Sequence, residues 1–272
     1  MSRSTSHVLL AIVLLSLMGL AQVSQPSTAV EYPSPLVREQ LRVRVHGQDE
    51  TWQLTWTAAP RPYCEPHDTS LTCPCAGFAY GEVGDLEIHR YRGRTNTDIF
   101  QVAPVFEKFP YRADNGAKVA RWPLERDDYA IAANDNFAQL VARRPVVQLM
   151  NLGDYDHDGE KAEFYLQTGS APCGKSEGVV VGVPRGRLKL QAFGTIRNPD
   201  KPLYLLKTSW EALRNSSRPV EVVEYPCGDH GRESESRVWL RWTAEGIDGT
   251  RREYSCFTEA NNPQRLLGED PL

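Results

Sequence analysis

The chain lacks a strong charge of either sign. Its 31 Lys and Arg nearly balance its 35 Asp and Glu, leaving a formal charge of −4, and the two signs are mixed along the sequence. A dedicated surface for nucleic acid or for an anionic membrane needs clustered positive charge, so both are excluded as expectations. Past the N-terminus no run approaches the roughly 20 apolar residues of a membrane-spanning helix. There is no low-complexity tract and no heptad pattern. The zinc-protease motif H-E-x-x-H is missing. Histidine is scarce, with six in 272 residues.

What is present begins with a targeting segment. Arg3 and His7 precede the apolar run Val8–Leu15, and Gly19-Leu20-Ala21 places small residues where a signal peptidase cuts. Residues 1–21 therefore read as a secretory signal peptide, with a cut after Ala29 as the alternative. The mature protein is expected to be secreted or periplasmic. Residues 22–38 read as a flexible lead-in and residues 39–272 as one β-rich domain, with a sub-boundary near residue 144 as the alternative. The 40% hydrophobic content suits an ordinary core.

The fold class expected is mainly β: antiparallel meanders in sandwich or partial propeller-like sheets, with one or two short helices. Leu41–Val45 and Trp52–Trp56 alternate strictly and read as a hairpin. Its Trp52, Leu54 and Trp56 would meet Leu41, Val43 and Val45, and strand spacing favours core packing over a sugar platform. Leu86–Tyr91 and Ile99–Val102 are further strands, with His89 on the polar side. Val179–Val183 is apolar without alternation, as for a strand buried on both faces. Leu188–Phe193, Val220–Tyr225 and Val238–Trp242 continue the pattern, the last forming a hairpin that runs to Cys256. Beyond Cys256 the tail reads as frayed. Residues 134–144 would form one short helix, and a capping box at Thr208–Glu211 would open another that ends near Asn215.

Six cysteines in an exported chain imply disulfides. Cys227 and Cys256 are the preferred pair, since both sit at the edges of one meander. Cys64–Cys73 and Cys75–Cys173 are the favoured remainder. Cys64, His67, Cys73 and Cys75 do not have the usual zinc-knuckle spacing.

The most informative stretch is Asp154-Tyr155-Asp156-His157-Asp158-Gly159-Glu160, followed by Glu163. Calcium takes six to eight hard oxygen ligands, and a D-x-D-x-D-G turn supplies three carboxylates. The glycine allows the sharp reversal. Flanking runs Val146–Leu152 and Phe164–Thr168 read as strands, and position twelve of an EF-hand would fall on Tyr165, not on a bidentate glutamate. The motif resembles the FG-GAP/VCBS-like (integrin-α-type) calcium-binding hairpin over about 25 residues. That resemblance implies side-chain ligands Asp154, Asp156 and Asp158, a carbonyl ligand from Glu160, and a further carboxylate. The family places this last acid at the position of Ala162; here it stands one later, at Glu163. His157 would face solvent. No second copy of the loop exists, so a complete propeller is not expected.

The catalytic residues are unknown from sequence. Asp229-His230 with Ser234 or Ser236 is the nearest to a triad, and Asp127 or Asp128 with a distant Glu would be an unsigned carboxylate pair. Asn215-Ser216-Ser217 fits a glycosylation sequon. The reading that results is an exported calcium-binding β protein with a structural or binding role. Its partner would be an extracellular protein or a carbohydrate. The alternative is an exported hydrolase of sugars or esters that uses calcium structurally.

Overall fold

The computed structural model describes residues 36–63, 78, 80–107, 116–123, 142–171, 175–256 and 264–272. The signal peptide, most of the lead-in, Cys64, Cys73, Cys75, Cys173, Asp127 and Asp128 lie outside these residues. So does most of the helix expected over 134–144.

The protein is mainly β, and its named sheets pair antiparallel. β1 (Val37–Val45) and β2 (Gln48–Trp56) form the expected hairpin and join β5 (Leu86–Arg92) and β6 (Thr95–Gln101) in the order β1-β2-β5-β6. β3 (Arg61–Tyr63), β4 (Gly81–Gly84) and β7 (Ala117–Ala120) make a small second sheet. A third sheet is centred on β9 (Lys175–Gly182). β8 (Glu163–Ala171) lies along one edge of β9, while β10 (Gln191–Ala192) and β11 (Leu205–Leu206) share the other. The fourth sheet orders β12 (Val220–Tyr225), β13 (Ser234–Thr243), β14 (Gly246–Ser255) and β15 (Leu266–Pro271).

The third sheet is the middle layer. Its Phe164, Leu166, Val179 and Val181 belong to one core with Val43, Trp52, Leu54 and Ile88 of the first sheet. Val180 and Leu205 belong to a second core with Trp210, Val238, Leu240 and Ile247. Successive side chains of a strand point to opposite faces, so a strand with a core on each side must be apolar at every position. That is why Val179–Val181 runs without alternation, each residue fully buried.

The hairpin register differs from the expected one. The turn is only His46-Gly47, both with positive φ, as a two-residue reversal with matching twist requires. Val45 therefore faces Gln48, Val43 faces Glu50 and Leu41 faces Trp52. This puts Glu50, 3% exposed, on the core side. Its carboxylate accepts from Arg90 Nε and Nη2, both at 2.8 Å, from Arg92 Nε at 2.9 Å and from Trp52 Nε1 at 3.1 Å. Burial opposes its ionisation, but these donors, Arg90 foremost, outweigh burial and hold its pKa below the ordinary value. His89 sits on the other face, between Glu87 at 2.8 Å and Asn96 at 3.0 Å.

Several local expectations are corrected. The upstream run Val146–Leu152 is not a strand. Its amides are taken elsewhere: those of Leu149 and Met150 donate to the Glu39 carboxylate at 2.6 and 2.9 Å, and that of Val147 donates to the Arg121 carbonyl. Leu188–Phe193 shrinks to β10, and Leu188 is 81% exposed. The flexible lead-in ends sooner than expected, because Val37 and Arg38 already belong to β1. The tail after Cys256 contains β15, an edge strand whose exposed positions gave no apolar alternation. Helix α1 (Lys207–Arg214) forms, but Thr208 does not cap it. Glu224 of β12 braces the helix start instead, accepting from the Leu206 amide at 3.1 Å and from Ser209 Oγ at 2.8 Å. The Cys227–Cys256 disulfide is present, with Cα atoms 5.4 Å apart. It ties the turn after β12 to the end of β14.

Removing one partner of a buried ion pair strands the other charge. Glu50→Ala should therefore lower stability by about 3–5 kcal/mol, read as a shifted urea midpoint. Glu50→Leu combined with Arg90→Met should lose distinctly less. Equal losses would show that the pair does not act as a unit.

Candidate metal centre

The acidic loop is closed at its base by one antiparallel bridge. Gly153 and Glu163 exchange backbone hydrogen bonds of 2.7 and 3.3 Å. Between them the chain folds on itself. The amide of Asp158 donates to Asp154 Oδ1 at 3.1 Å and to Asp156 Oδ1 at 3.2 Å. That of Gly159 donates to Asp154 Oδ2 at 3.1 Å, and that of Glu160 to Asp158 Oδ1 at 2.8 Å. His157 and Gly159 adopt positive φ, at +56° and +93°, which is what turns the three aspartates inward. One carboxylate oxygen from each of Asp154, Asp156 and Asp158 lies within 4.8 Å of the others. The expected D-x-D-x-D geometry is thus assembled.

Glu160 contributes differently from the aspartates. Its carboxylate accepts the amides of His46 at 2.5 Å and Gly47 at 2.8 Å, capping the β1–β2 turn. One of its carboxylate oxygens also lies within 4.8 Å of ligand atoms of Asp158 and His46. His157 does not face solvent as expected: it is half-buried, and its Nε2 lies 3.0 Å from the carbonyl of Leu213, near the end of α1. The loop is therefore anchored to the first sheet by one residue and to the helix by another.

The displaced acid has a simple explanation. Ala162, Phe164 and Leu166 alternate into the first core, so the position where the family pattern would put a carboxylate points into hydrocarbon. Glu163 is on the opposite side of the strand. It is fully buried, and its Oε2 accepts from the Tyr155 amide at 2.8 Å. Its Oε1 is buried without any hydrogen-bond partner. Burial pushes this carboxyl up to about 9 against the pull of the Tyr155 amide, and the charges of Asp156, Asp158 and Asp154 add to the rise. Asp156 is also raised, first by burial and then by Asp158, although the Arg185 amide donates to it at 2.8 Å. Glu163 stands outside the set of mutually close aspartate oxygens but shares their field.

An orphaned buried carboxylate oxygen among like charges is costly as it stands. A divalent cation removes both faults at once, and carboxylate oxygens at 2.3–2.6 Å are what calcium takes. The residues present fit such an ion.

Sequence reasoning missed the supports. Gly182 of β9 faces Glu163 across the β8–β9 ladder, and a Cβ there would lie 2.6 Å from Glu163 Cγ and 2.7 Å from the Ala162 carbonyl. Gly153 is approached as closely by the Arg214 guanidinium. Neither contact has a local signature, because each joins residues distant in sequence.

The triad candidate is engaged otherwise. Asp229 is bonded to Lys175 Nζ at 2.5 Å, its ring neighbour His230 Nε2 is 3.9 Å away, and Ser234 Oγ donates to Glu253 at 3.0 Å. Ser236 is buried. Asn215 of the sequon is exposed at the end of α1. No helix among the described residues is long and apolar enough to cross a membrane. Comparison with known proteins finds no family model, curated protein or solved structure that matches the chain.

The pH dependence of the metal-free protein should carry the mark of Glu163. Its folded pKa, about 9, is above its ordinary value of 4.5, so the neutral form is favoured by folding. The stability it gives is complete below about 4.5 and is lost as the pH rises through about 9. In chelator, wild type should therefore be less stable at pH 8 than at pH 5. Glu163→Gln should flatten that difference and be more stable than wild type at pH 8 by on the order of 1–3 kcal/mol. Parallel chemical melts of the two proteins would read this, and superimposable pH profiles would refute it.

Proposed function

We propose that this is an exported calcium-binding β protein in which the metal is a structural tie, serving a binding role outside the cytosol. The observation that carries the reading is the loop itself: three aspartate oxygens within 4.8 Å of one another beside a buried Glu163 oxygen that has no donor. Asp154, Asp156, Asp158 and Glu163 would give carboxylate oxygens and Glu160 its carbonyl. The strand that leads out of the loop, β8, supports the likeness to the FG-GAP/VCBS-like hairpin. The irregular arm leading in departs from it. Export is supported by the N-terminal signal-like segment and is compatible with the Cys227–Cys256 disulfide. An adhesive role does not follow from a single loop.

The physical role of the ion follows from where the loop is anchored. Glu160 holds the first sheet's turn, His157 meets the end of α1, and Glu163 opens β8 in the middle layer. Without a cation the loop's carboxylates repel one another across a few ångströms. With one they become a cross-link between layers. An extracellular module with a Kd near 10⁻⁴–10⁻³ M would be filled at ordinary extracellular calcium.

Calorimetric titration of the oxidised, secreted protein with calcium should show binding at one site, and Asp156→Ala and Asp158→Ala should abolish it. Calcium at a hundred times its Kd should stabilise the fold by about 2.7 kcal/mol. For a chain of this size that is a rise in Tm of roughly 5–10 °C, reversed by EGTA. Absence of both heat and a Tm shift in the wild type would reduce the loop to a charged turn and end the proposal.

A further inference from the structure

Behind the metal loop lies a cleft of about 240 Å³. It is smaller than the roughly 300–1,000 Å³ of drug-sized sites, so its occupant must be small. Its apolar wall comes from Phe78, Val119, Leu149 and Leu166. Its charged residues come from one face of α1: Lys207, Glu211 and Arg214, at helical spacing. Tyr155, the second residue of the metal loop, lines it too.

The charges on this rim do not balance. Lys207 and Glu211 pair with each other at 3.7 Å. Arg214, half-buried, has no carboxylate partner among the described residues. Its guanidinium lies 5.3 Å from the Tyr155 ring centroid. It also lies against Gly153, where a Cβ would be 2.7 Å from Cζ and from Nε. A guanidinium is a forked donor shaped for a carboxylate. Here it is held in place by the Tyr155 side chain and a glycine, and among the described residues no carboxylate completes it.

We infer that this cleft receives a small monocarboxylate with an apolar body, its carboxylate paired to Arg214, and that the metal loop tunes its affinity. The apolar body would lie on Phe78, Val119, Leu149 and Leu166. The coupling runs through Gly153 and Tyr155, which flank and enter the loop. Tyr155 gives its amide to Glu163, and its ring supports Arg214. A cation that draws in Glu163 and the aspartates fixes both contacts of the guanidinium, and its positive charge favours an anion nearby. Only this coupling rests on the calcium reading; the carboxylate receptor itself does not.

The test uses the full secreted chain, with phenylacetate and its neutral amide, phenylacetamide, titrated calorimetrically in calcium and in EGTA. Phenylacetate should bind and phenylacetamide should not. Arg214→Gln should weaken phenylacetate by about ten- to a hundredfold, and Arg214→Lys should restore part of the loss. Glu211→Gln, at an exposed helix position, should tighten binding by about two- to fivefold by removing a negative charge from the rim. Calcium should tighten it by about fivefold or more. Equal binding of acid and amide, or no binding of either, would overturn the receptor, as would an Arg214→Gln protein that is folded yet unchanged in affinity. Equal phenylacetate affinity in calcium and EGTA would overturn the coupling. Phenylacetate binding that persists while calcium itself gives no heat would sink the metal reading and the coupling but uphold the carboxylate receptor.

Discussion

The structure depends on one strand with a core on each side. β9 must send Val179 and Val181 to one core and Val180 to the other, and it can tolerate neither a polar side chain in that run nor a bulky one where its neighbours close in. At Gly178 a Cβ would sit 2.2 Å from the Leu166 carbonyl, and at Gly182 it would meet Glu163. These glycines let β8 lie close against β9. Everything around the acidic loop inherits its position from that approach, since β8 begins at Glu163.

A second consequence is where the loop's charges end up. The alternation of β8 assigns Ala162 and Phe164 to hydrocarbon and Glu163 to the opposite side. The acid is buried beside Asp154, Asp156 and Asp158, outside their set of mutually close oxygens but within their field. An arrangement of this kind is unfavourable by itself, because burial and like charge both disfavour the carboxylate. It becomes favourable only if something positive enters. The loop is thus a point of stored electrostatic cost inside a fold otherwise stabilised by apolar burial. Its anchors on the first sheet and on α1 spread that cost across two layers.

Buried charge is handled in the opposite way in the first sheet. Glu50 is buried as Asp156 and Glu163 are, yet Arg90, Arg92 and Trp52 satisfy it. Glu224 is treated likewise, serving α1 on one side and Arg251 at 2.8 Å on the other. The contrast between these self-contained acids and the incomplete cluster at Glu163 is physical, and it separates scaffold from site.

The sequence by itself determined the strand content, the first hairpin's existence, the doubly buried strand at Val179–Val181, the helix near Trp210 and the Cys227–Cys256 pair. Each is written in local periodicity, capping-like composition or spacing. The sequence also determined the convergence of Asp154, Asp156 and Asp158, because a tight turn with a glycine at its sixth place brings alternate side chains together without outside help. Only the tertiary structure decided the rest. That Val146–Leu152 is not a strand depends on Glu39, more than a hundred residues away, taking its amides. That β15 is a strand depends on β14 offering it an edge. That Glu50 belongs to the core depends on Arg90 arriving beside it, and that Arg214 has no carboxylate partner among the described residues depends on where α1 docks. Long-range partners, and the burial that makes them matter, have no local spacing to betray them.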